Sequence, residues 1–529
     1  MNYLDYGLKT QARILAMLKM EGVDEIPQNY TDFMKLDHQL RKFIGCNLPL
    51  VLSDDYEHFM ACLPNRKYGA QHVLIRKQIG GFTVAAGFWK WLEFLSQPLN
   101  HNYVNLMADF MSGKHNGFKR QFNKEYWDYV VHDCGGYLPI RIETVGEGAV
   151  FTGVPFPVAQ VYGEVPPLWL PEPMYIQNGQ LTHVATIAAQ FAEALGDPWR
   201  FIEVAFRAMQ TREFSDDMLL AMLIGGGIIS TSNDLGAFIN GAPFKCAGTT
   251  GHCWYQQRDN FKEALRVLLQ SPLGPFSTVL LDIVLHEFGF AILQELIAEG
   301  YPPPFAERPD SGDVVKTGLE NLVAMEDEGH RINVVFEDGK GPADALDAEK
   351  RIKMLGLEKE RALFGAGSAF FANRSVLEPA YKAAHFHDGT PENPIDELDT
   401  MKICLNAPEK GSIPGMISYF QNEKTGIYQL GVRGQSVPSC HQKTGYVLYD
   451  GLNNPGHPYF NPDYDCLNLT GCKAITDGID RSKKIRKLLG PSFTLDIGPN
   501  KNAIGMTTEL RQKKKRIYSE AMRMVKERG

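Results

Sequence analysis

The chain has 529 residues, enough for two or three domains. With 44% hydrophobic and 22% charged residues it is an ordinary globular composition, and the formal net charge of -8 argues against a dedicated nucleic-acid binder. No apolar run is long enough to cross a bilayer, and MNYLDYGLKTQARILAM carries charges where a signal peptide has its apolar region. The nine cysteines are scattered and form no CxxC pair, which fits reduced thiols in a cytoplasm better than a disulfide framework or a zinc site. Neither a membrane nor a nucleic acid is expected as a partner.

Residues 1–50 read as a helical extension, with Ile14, Leu15, Leu18 and Met20 on a partial helical stripe. LSDDYEHFM (52–60) runs from a polar cluster into a helix. HVLIRKQIGG (72–81) reads as a strand that ends in Arg76 and Lys77 before two glycines, and FTVAAGFWKWLEFL (82–95) passes from strand to helix. Tyr137–Val161 alternates as antiparallel strands do, with a turn at Gly146–Gly148. Pro166, Pro167, Pro171 and Pro173 then mark a boundary. Beyond it HVATIAAQFAEALG (183–196) is a helix, and the apolar runs 279–281, 331–336 and 361–367 are strand candidates separated by helical segments. Strand–helix alternation with polar residues at strand ends predicts an α/β barrel or a parallel sheet. From Met401 strand-like pieces return, GIYQLGV and GYVLYD among them, and the tail from Arg481 reads as a solvated basic helix face.

Residues 225–254, GGGIISTSNDLGAFINGAPFKCAGTTGHCW, hold the densest set of functional candidates. Small hydroxyl residues beside glycine let backbone N–H groups approach an anion, and His252 follows Gly251 on a loop. In Arg308-Pro309-Asp310-Ser311-Gly312-Asp313 the arginine suits an anion and an aspartate suits sugar hydroxyls or Mg²⁺, although the same residues also suit a helix N-cap before VVKTGLENLVAM. Phe336-Glu337-Asp338-Gly339 again puts acids at a strand end. LFGAGSAF (363–370) is a glycine-rich strand-to-helix turn able to seat a phosphate, but it lacks the last glycine of GxGxxG. There is no P-loop, no HExxH and no GxSxG, and His286-Glu287 reads as structural. On the residues alone a nucleotide kinase, an aldolase-like barrel and a phosphoribosyltransferase all remain open.

Taken in order, these motifs resemble the nicotinate phosphoribosyltransferase family, type II phosphoribosyltransferases to which nicotinamide phosphoribosyltransferase is related. LSDDYEHFM is similar to that family's D-x-Y segment, LIRKQIGGFTVAAG to its R-K-x-x-x-G-G-x-x-V-x-A-G stretch, and FIEVAFRAMQ (201–210) to its E-F-G-x-R-R-A-Q helix. TSNDLGAF and GTTGHCW resemble G-T-S-N followed by G-T-x-A-H-S-W, and RPDSGD, FEDG, FGAG and KGSIPG (410–415) complete the series. Ser230 replaces the first glycine of GTSN, Leu285 replaces the second acid of a segment begun by Asp282, and Val204 stands where the family has a ring-stacking phenylalanine, a role left to Phe206 or Phe214.

The resemblance implies an irregular α/β barrel at 176–400, a split α/β domain built from 51–175 with 401–480, the extension at 1–50 and a basic helical tail at 481–529. It implies an enzyme joining nicotinate to phosphoribosyl pyrophosphate, with ATP and Mg²⁺ required. His252 would be the histidine that ATP phosphorylates, Asp310 would hold the ribose hydroxyls, and Arg308 would lie near the pyridine ring and the phosphates. Gly365 and Gly367 would face the 5′-phosphate, and Arg207 an anion. Ser232, Asn233, Thr249, Asp282 and Asp338 complete the barrel's substrate set. Tyr56, Arg76 and Lys77 would act on the site of the second subunit of a homodimer. Nicotinamide as substrate, and a catalytically silent nucleotide-binding relative, are the alternatives.

Overall fold

A computed structural model describes residues 2–52, 55–62, 64–115, 117, 119–177, 179–205, 214–247, 250–258, 260–283, 285–337, 340–367, 371, 374–403, 411–489 and 505–528. The chain forms two compact units, Met1–Thr182 with Arg374–Leu488 and Gly498–Gly529, and His183–Asn373 with Leu489–Ile497. Among the described residues no helix is long and apolar enough to cross a membrane.

The first unit opens with the helix Tyr3–Met20, capped by Asn2, which accepts the Asp5 N–H, and burying Tyr3, Ile14 and Leu18. A Cβ on Gly7 would come within 1.7 Å of the Ser96 carbonyl oxygen, so only glycine lets this helix lie so close to the end of the helix Phe88–Leu95. Strands β1 (Tyr68–Ile75), β2 (Thr83–Val84), β3 (Ile140–Thr144), β4 (Val150–Phe151) and β5 (Phe156–Glu164) follow. The second unit then contributes β6 (Phe201–Glu203), β7 (Ser230–Thr231), β8 (Lys245–Cys246), β9 (Thr278–Val279), β10 (Ala306–Glu307), β11 (Asn333–Phe336) and β12 (Ala362–Ala366). Back in the first unit come β13 (Pro379–Gly389), β14 (Pro394–Asp399), β15 (Ile417–Asn422), β16 (Tyr428–Val432), β17 (His441–Thr444), β18 (Tyr446–Asp450), β19 (Tyr459–Phe460) and β20 (Gly505–Met506).

An antiparallel sheet ordered β14-β13-β1-β5-β3-β18-β19 organises the first unit, beside a smaller sheet β17-β15-β16-β20. β1 is buried along its whole length, as a central strand must be, and ends at Ile75, so Arg76 and Lys77 lie just past the strand. β13 and β14 fall inside the span 176–400 expected for the barrel, yet β13 pairs with β1 from Tyr68↔His387 to Ile75↔Pro379 and so belongs to the first unit. The expected turn at Gly146–Gly148 has left-handed glycines at φ +83° and +67°. Between them the buried Glu147 accepts the N–H groups of Gly87 at 3.0 Å and Phe88 at 2.8 Å, capping the helix Phe88–Leu95. Burial raises its carboxyl to about 7 in spite of those bonds.

The second unit is a curled sheet of seven parallel strands ordered β8-β7-β6-β12-β11-β10-β9. Chain order therefore runs around a ring in which the last strand, β12, lies beside the first, β6. Helices Ser215–Gly226, Asp234–Asn240, Phe261–Gln270, His286–Ala298, Val314–Asp327 and Pro342–Met354 each follow one strand and precede the next. Ala306, Val335 and Leu363, from three neighbouring strands, pack as one buried cluster, and this is the α/β barrel-like architecture expected from the sequence.

Candidate active site

In parallel α/β folds the carboxyl ends of the strands open into the loops that carry chemistry. Here those ends deliver Glu203 as the last residue of β6, Ser232 and Asn233 after β7, the loop to His252 after β8, Asp282 after β9, Arg308 and Asp310 after β10, Glu337 after β11, and Gly365 and Gly367 at and beyond the end of β12.

The histidine loop is pinned to β9. Thr250 donates to the Thr278 carbonyl from its backbone N at 3.2 Å and from Oγ1 at 2.7 Å, and its hydroxyl also meets Tyr255 Oη at 2.7 Å. Tyr255 in turn accepts the Leu280 N–H at 3.1 Å. His252 then begins a short helix with Nε2 at 3.0 Å from Asp282 Oδ1 and Nδ1 at 3.9 Å from Asp310 Oδ2. Burial pulls the Asp282 carboxyl upward, but hydrogen bonds from His252 and Ser311 outweigh it and hold the group below the usual carboxylate range. One ligand atom each from His252, Asp282 and Asp310 lie within 4.8 Å of one another, a grouping of metal-ligand type that the sequence reading did not single out.

Arg308 is held from two sides. Its Nε lies 3.5 Å from Asp310 Oδ1, and its Nη1 lies 3.0 Å from Glu337 Oε2. Glu337 is buried against Gly365, whose missing side chain makes the room: a Cβ there would stand 2.4 Å from Glu337 Cγ.

Ser232, half-buried, donates its backbone N–H to the Glu203 carbonyl at 2.7 Å. Asn233 is buried, and its amide is engaged within the chain: Oδ1 accepts the Gly236 N–H at 2.9 Å and Nδ2 donates to the Ser215 carbonyl at 3.0 Å, so it shapes the turn and caps the helix Asp234–Asn240. Glu203 and Thr231 were not anticipated. Thr231 Oγ1 donates to the buried Glu203 Oε2 at 2.5 Å, and Glu203 Oε1 accepts the Ala205 N–H, tying β6 to β7 beneath Ser232. Glu307 is likewise buried: burial raises its carboxyl, while His286 and Asn321 pull it back. Asn321 Nδ2 lies 3.0 Å from each Glu307 oxygen and 2.8 Å from His286 Nε2, which makes His286 structural, as expected.

Tyr56, on the helix Asp55–Cys62, and Arg76 and Lys77 belong to the first unit. Both backbone N–H groups of Arg76 and Lys77 donate to the Leu377 carbonyl, and Lys77 Nζ lies 2.5 Å from Glu378 Oε1. Arg76 Nε donates to the Glu378 carbonyl at 3.1 Å. Arg207, Thr249, Asp338 and Phe206 lie outside the described residues, and Phe214 is the N-cap of the helix Ser215–Gly226.

No protein-family model matches the chain. A nicotinamide phosphoribosyltransferase of Xanthomonas campestris pv. campestris is 22% identical over 403 residues, covering 66% of this chain and 83% of that protein. Among solved structures, human nicotinic acid phosphoribosyltransferase superposes with a TM-score of 0.58 at 16% identity, over 87% of this chain and 99% of that one. Nicotinate-nucleotide pyrophosphorylase from Pyrococcus furiosus gives a TM-score of 0.53 at 16% identity, over 82% and 95%. The fold is the one these two solved structures share. In sequence and in fold the chain is similar to enzymes named for nicotinamide and nicotinic acid phosphoribosyl transfer.

Proposed function

We propose that this protein joins nicotinate to phosphoribosyl pyrophosphate, giving nicotinate mononucleotide and pyrophosphate, with ATP hydrolysis coupled through His252. The observation that carries this reading is the convergence of His252, Asp282, Asp310 and Arg308 at one rim of the parallel sheet. The pyridine nitrogen attacks C1 of the ribose as the bond to pyrophosphate breaks, through a transition state with oxocarbenium character. Such a reaction needs positioned charge and little covalent help.

Asp310 takes the ribose hydroxyls and Arg308 the phosphates and the pyridine ring, while the Gly365–Gly367 turn and Arg207 serve anionic groups. Asp282 on Nε2 of His252 places the ring proton there and leaves the Nδ1 lone pair to accept the γ-phosphoryl group of ATP, with ADP as the leaving group. Asp282 and Asp310 offer the hard oxygen donors that Mg²⁺ takes, and they would hold it with His252 at the edge of the group. When bound, the ion would neutralise the departing pyrophosphate. Ser232 gives a carboxylate a hydroxyl donor, which supports nicotinate. Asp234, two residues on, is exposed, and its carboxylate faces the Cys246 thiol, whose pKa it raises.

The dimer implied by the resemblance is supported by apolar side chains left open on the second unit, Phe238 at 88% and Phe276 at 80% exposure among them. In that dimer Tyr56, Arg76 and Lys77 serve the partner's site. Nicotinamide is the second reading, favoured by the substrate in the name of the Xanthomonas relative. Pyrophosphate release from phosphoribosyl pyrophosphate, measured with each pyridine and with and without ATP, tests the proposal. Release with neither pyridine would refute it.

A further inference from the structure

The glycine-rich turn assigned to the 5′-phosphate already has an anion seated against it. Glu337 Oε1 lies 3.0 Å from the position a Gly365 Cβ would take, and Oε2 lies 3.0 Å from Arg308 Nη1. The side chain is buried. One carboxylate thus touches both features that a phosphate monoester would use, a glycine whose missing side chain leaves the room that Glu337 fills, and a guanidinium fork. Carboxylate and phosphate bind guanidinium in the same way, and two such anions on one arginine repel each other.

We propose that Glu337 is an internal counter-anion: it holds Arg308 in the ligand-free site and surrenders it when the 5′-phosphate of a phosphoribosyl substrate arrives. The inference rests on the reading of the Gly365–Gly367 turn as the phosphate seat. Asp310 Oδ1, 3.5 Å from Arg308 Nε, keeps hold of the arginine during the exchange. A free phosphate gains Arg308 only by displacing Glu337. A phosphoribosyl ligand adds contacts from its ribose hydroxyls to Asp310, and these offset the displacement. Displacing Glu337 therefore weakens both ligands alike, and the Asp310 contacts are what lets a phosphoribosyl group bind where inorganic phosphate binds poorly.

The test is calorimetric titration of wild type, Glu337→Gln and Glu337→Asp with ribose 5-phosphate, inorganic phosphate and, as a control, ribose. Glu337→Gln keeps the shape and removes the competing charge. It should bind ribose 5-phosphate and inorganic phosphate more tightly, by roughly tenfold, a factor equal to about 1.4 kcal/mol. Ribose binding should not change, and the KM for phosphoribosyl pyrophosphate should fall by more than kcat changes. Glu337→Asp, which keeps the charge, should stay near wild type. Equal or weaker phosphate binding by Glu337→Gln overturns the exchange and leaves Glu337 as a mere brace for Arg308. If neither protein binds ribose 5-phosphate or phosphoribosyl pyrophosphate, the phosphate seat itself is wrong and the proposed function falls with it.

Discussion

His252 Nε2 stands 3.0 Å from Asp282 Oδ1, a contact that joins the loop after β8 to the strand end after β9. If that bond sets the tautomer, Asp282→Asn should lose ATP-stimulated turnover by roughly 10–100-fold, the usual cost of removing a partner that orients a reactive imidazole. His252→Ala should abolish the stimulation while turnover without ATP persists. Steady-state rates with and without ATP, together with acid-labile phosphate incorporated from γ-labelled ATP, give the answer. Stimulation that survives in His252→Ala would remove the phosphohistidine from the mechanism.

The pyridine preference rests on Ser232. An aspartate there would face the nicotinate carboxylate with a like charge in a half-buried pocket, a repulsion of about several kcal/mol. Competition between the two pyridines, read as kcat/KM, should favour nicotinate in the wild type and shift toward nicotinamide in Ser232→Asp. A wild type that prefers nicotinamide would move the protein to the second reading.

A site shared between subunits can be checked by complementation. Tyr56→Ala or Arg76→Ala protomers, inactive alone, should regain activity when mixed with inactive Asp310→Ala protomers, because one site of the mixed dimer is then intact. No recovery after verified subunit exchange would count against a composite site.

Glu147 makes a prediction about stability. Its folded-state carboxyl titrates at about 7, above the ordinary value of 4.5. The fold therefore favours the neutral form, and the associated stability is complete below the ordinary value and is lost as pH rises through about 7. Glutamine stays neutral throughout. Between about pH 5 and about pH 8 the Tm of the wild type should fall relative to that of Glu147→Gln. Parallel Tm profiles for the two proteins would contradict the raised value.

The α/β character was legible because 331–336 and 361–367 carry the short apolar runs Val334–Phe336 and Ala362–Phe364, as buried parallel strands do, and β11 and β12 form there. Strands β7 and β10 have two residues each, too few for any periodicity, whereas the run at 279–281 marked the neighbourhood of β9. The first unit was harder. β13 finds its partner in β1, some three hundred residues earlier, and no local signal announces a pairing at that separation. The buried Glu203–Thr231 pair was hidden for the same reason, since its two halves lie on different strands 28 positions apart. In Phe336-Glu337-Asp338-Gly339 the acids were visible, but the contact of Glu337 with Arg308 joins residues 29 positions apart, which no local pattern announces.

Among the described residues no ladder joins β8 to β9, whereas six ladders join the other neighbours of the ring. Thr250 spans that break, giving both of its donors to a single carbonyl, Thr278 O. Tyr255, accepting the Leu280 N–H, and His252, on Asp282, complete the attachment, so the segment bearing His252 can part from β9 at the cost of these side-chain and turn bonds while every strand pair stays zipped. Amide exchange at Thr250 should therefore follow the opening of the histidine loop alone, well below the free energy at which the strands themselves exchange.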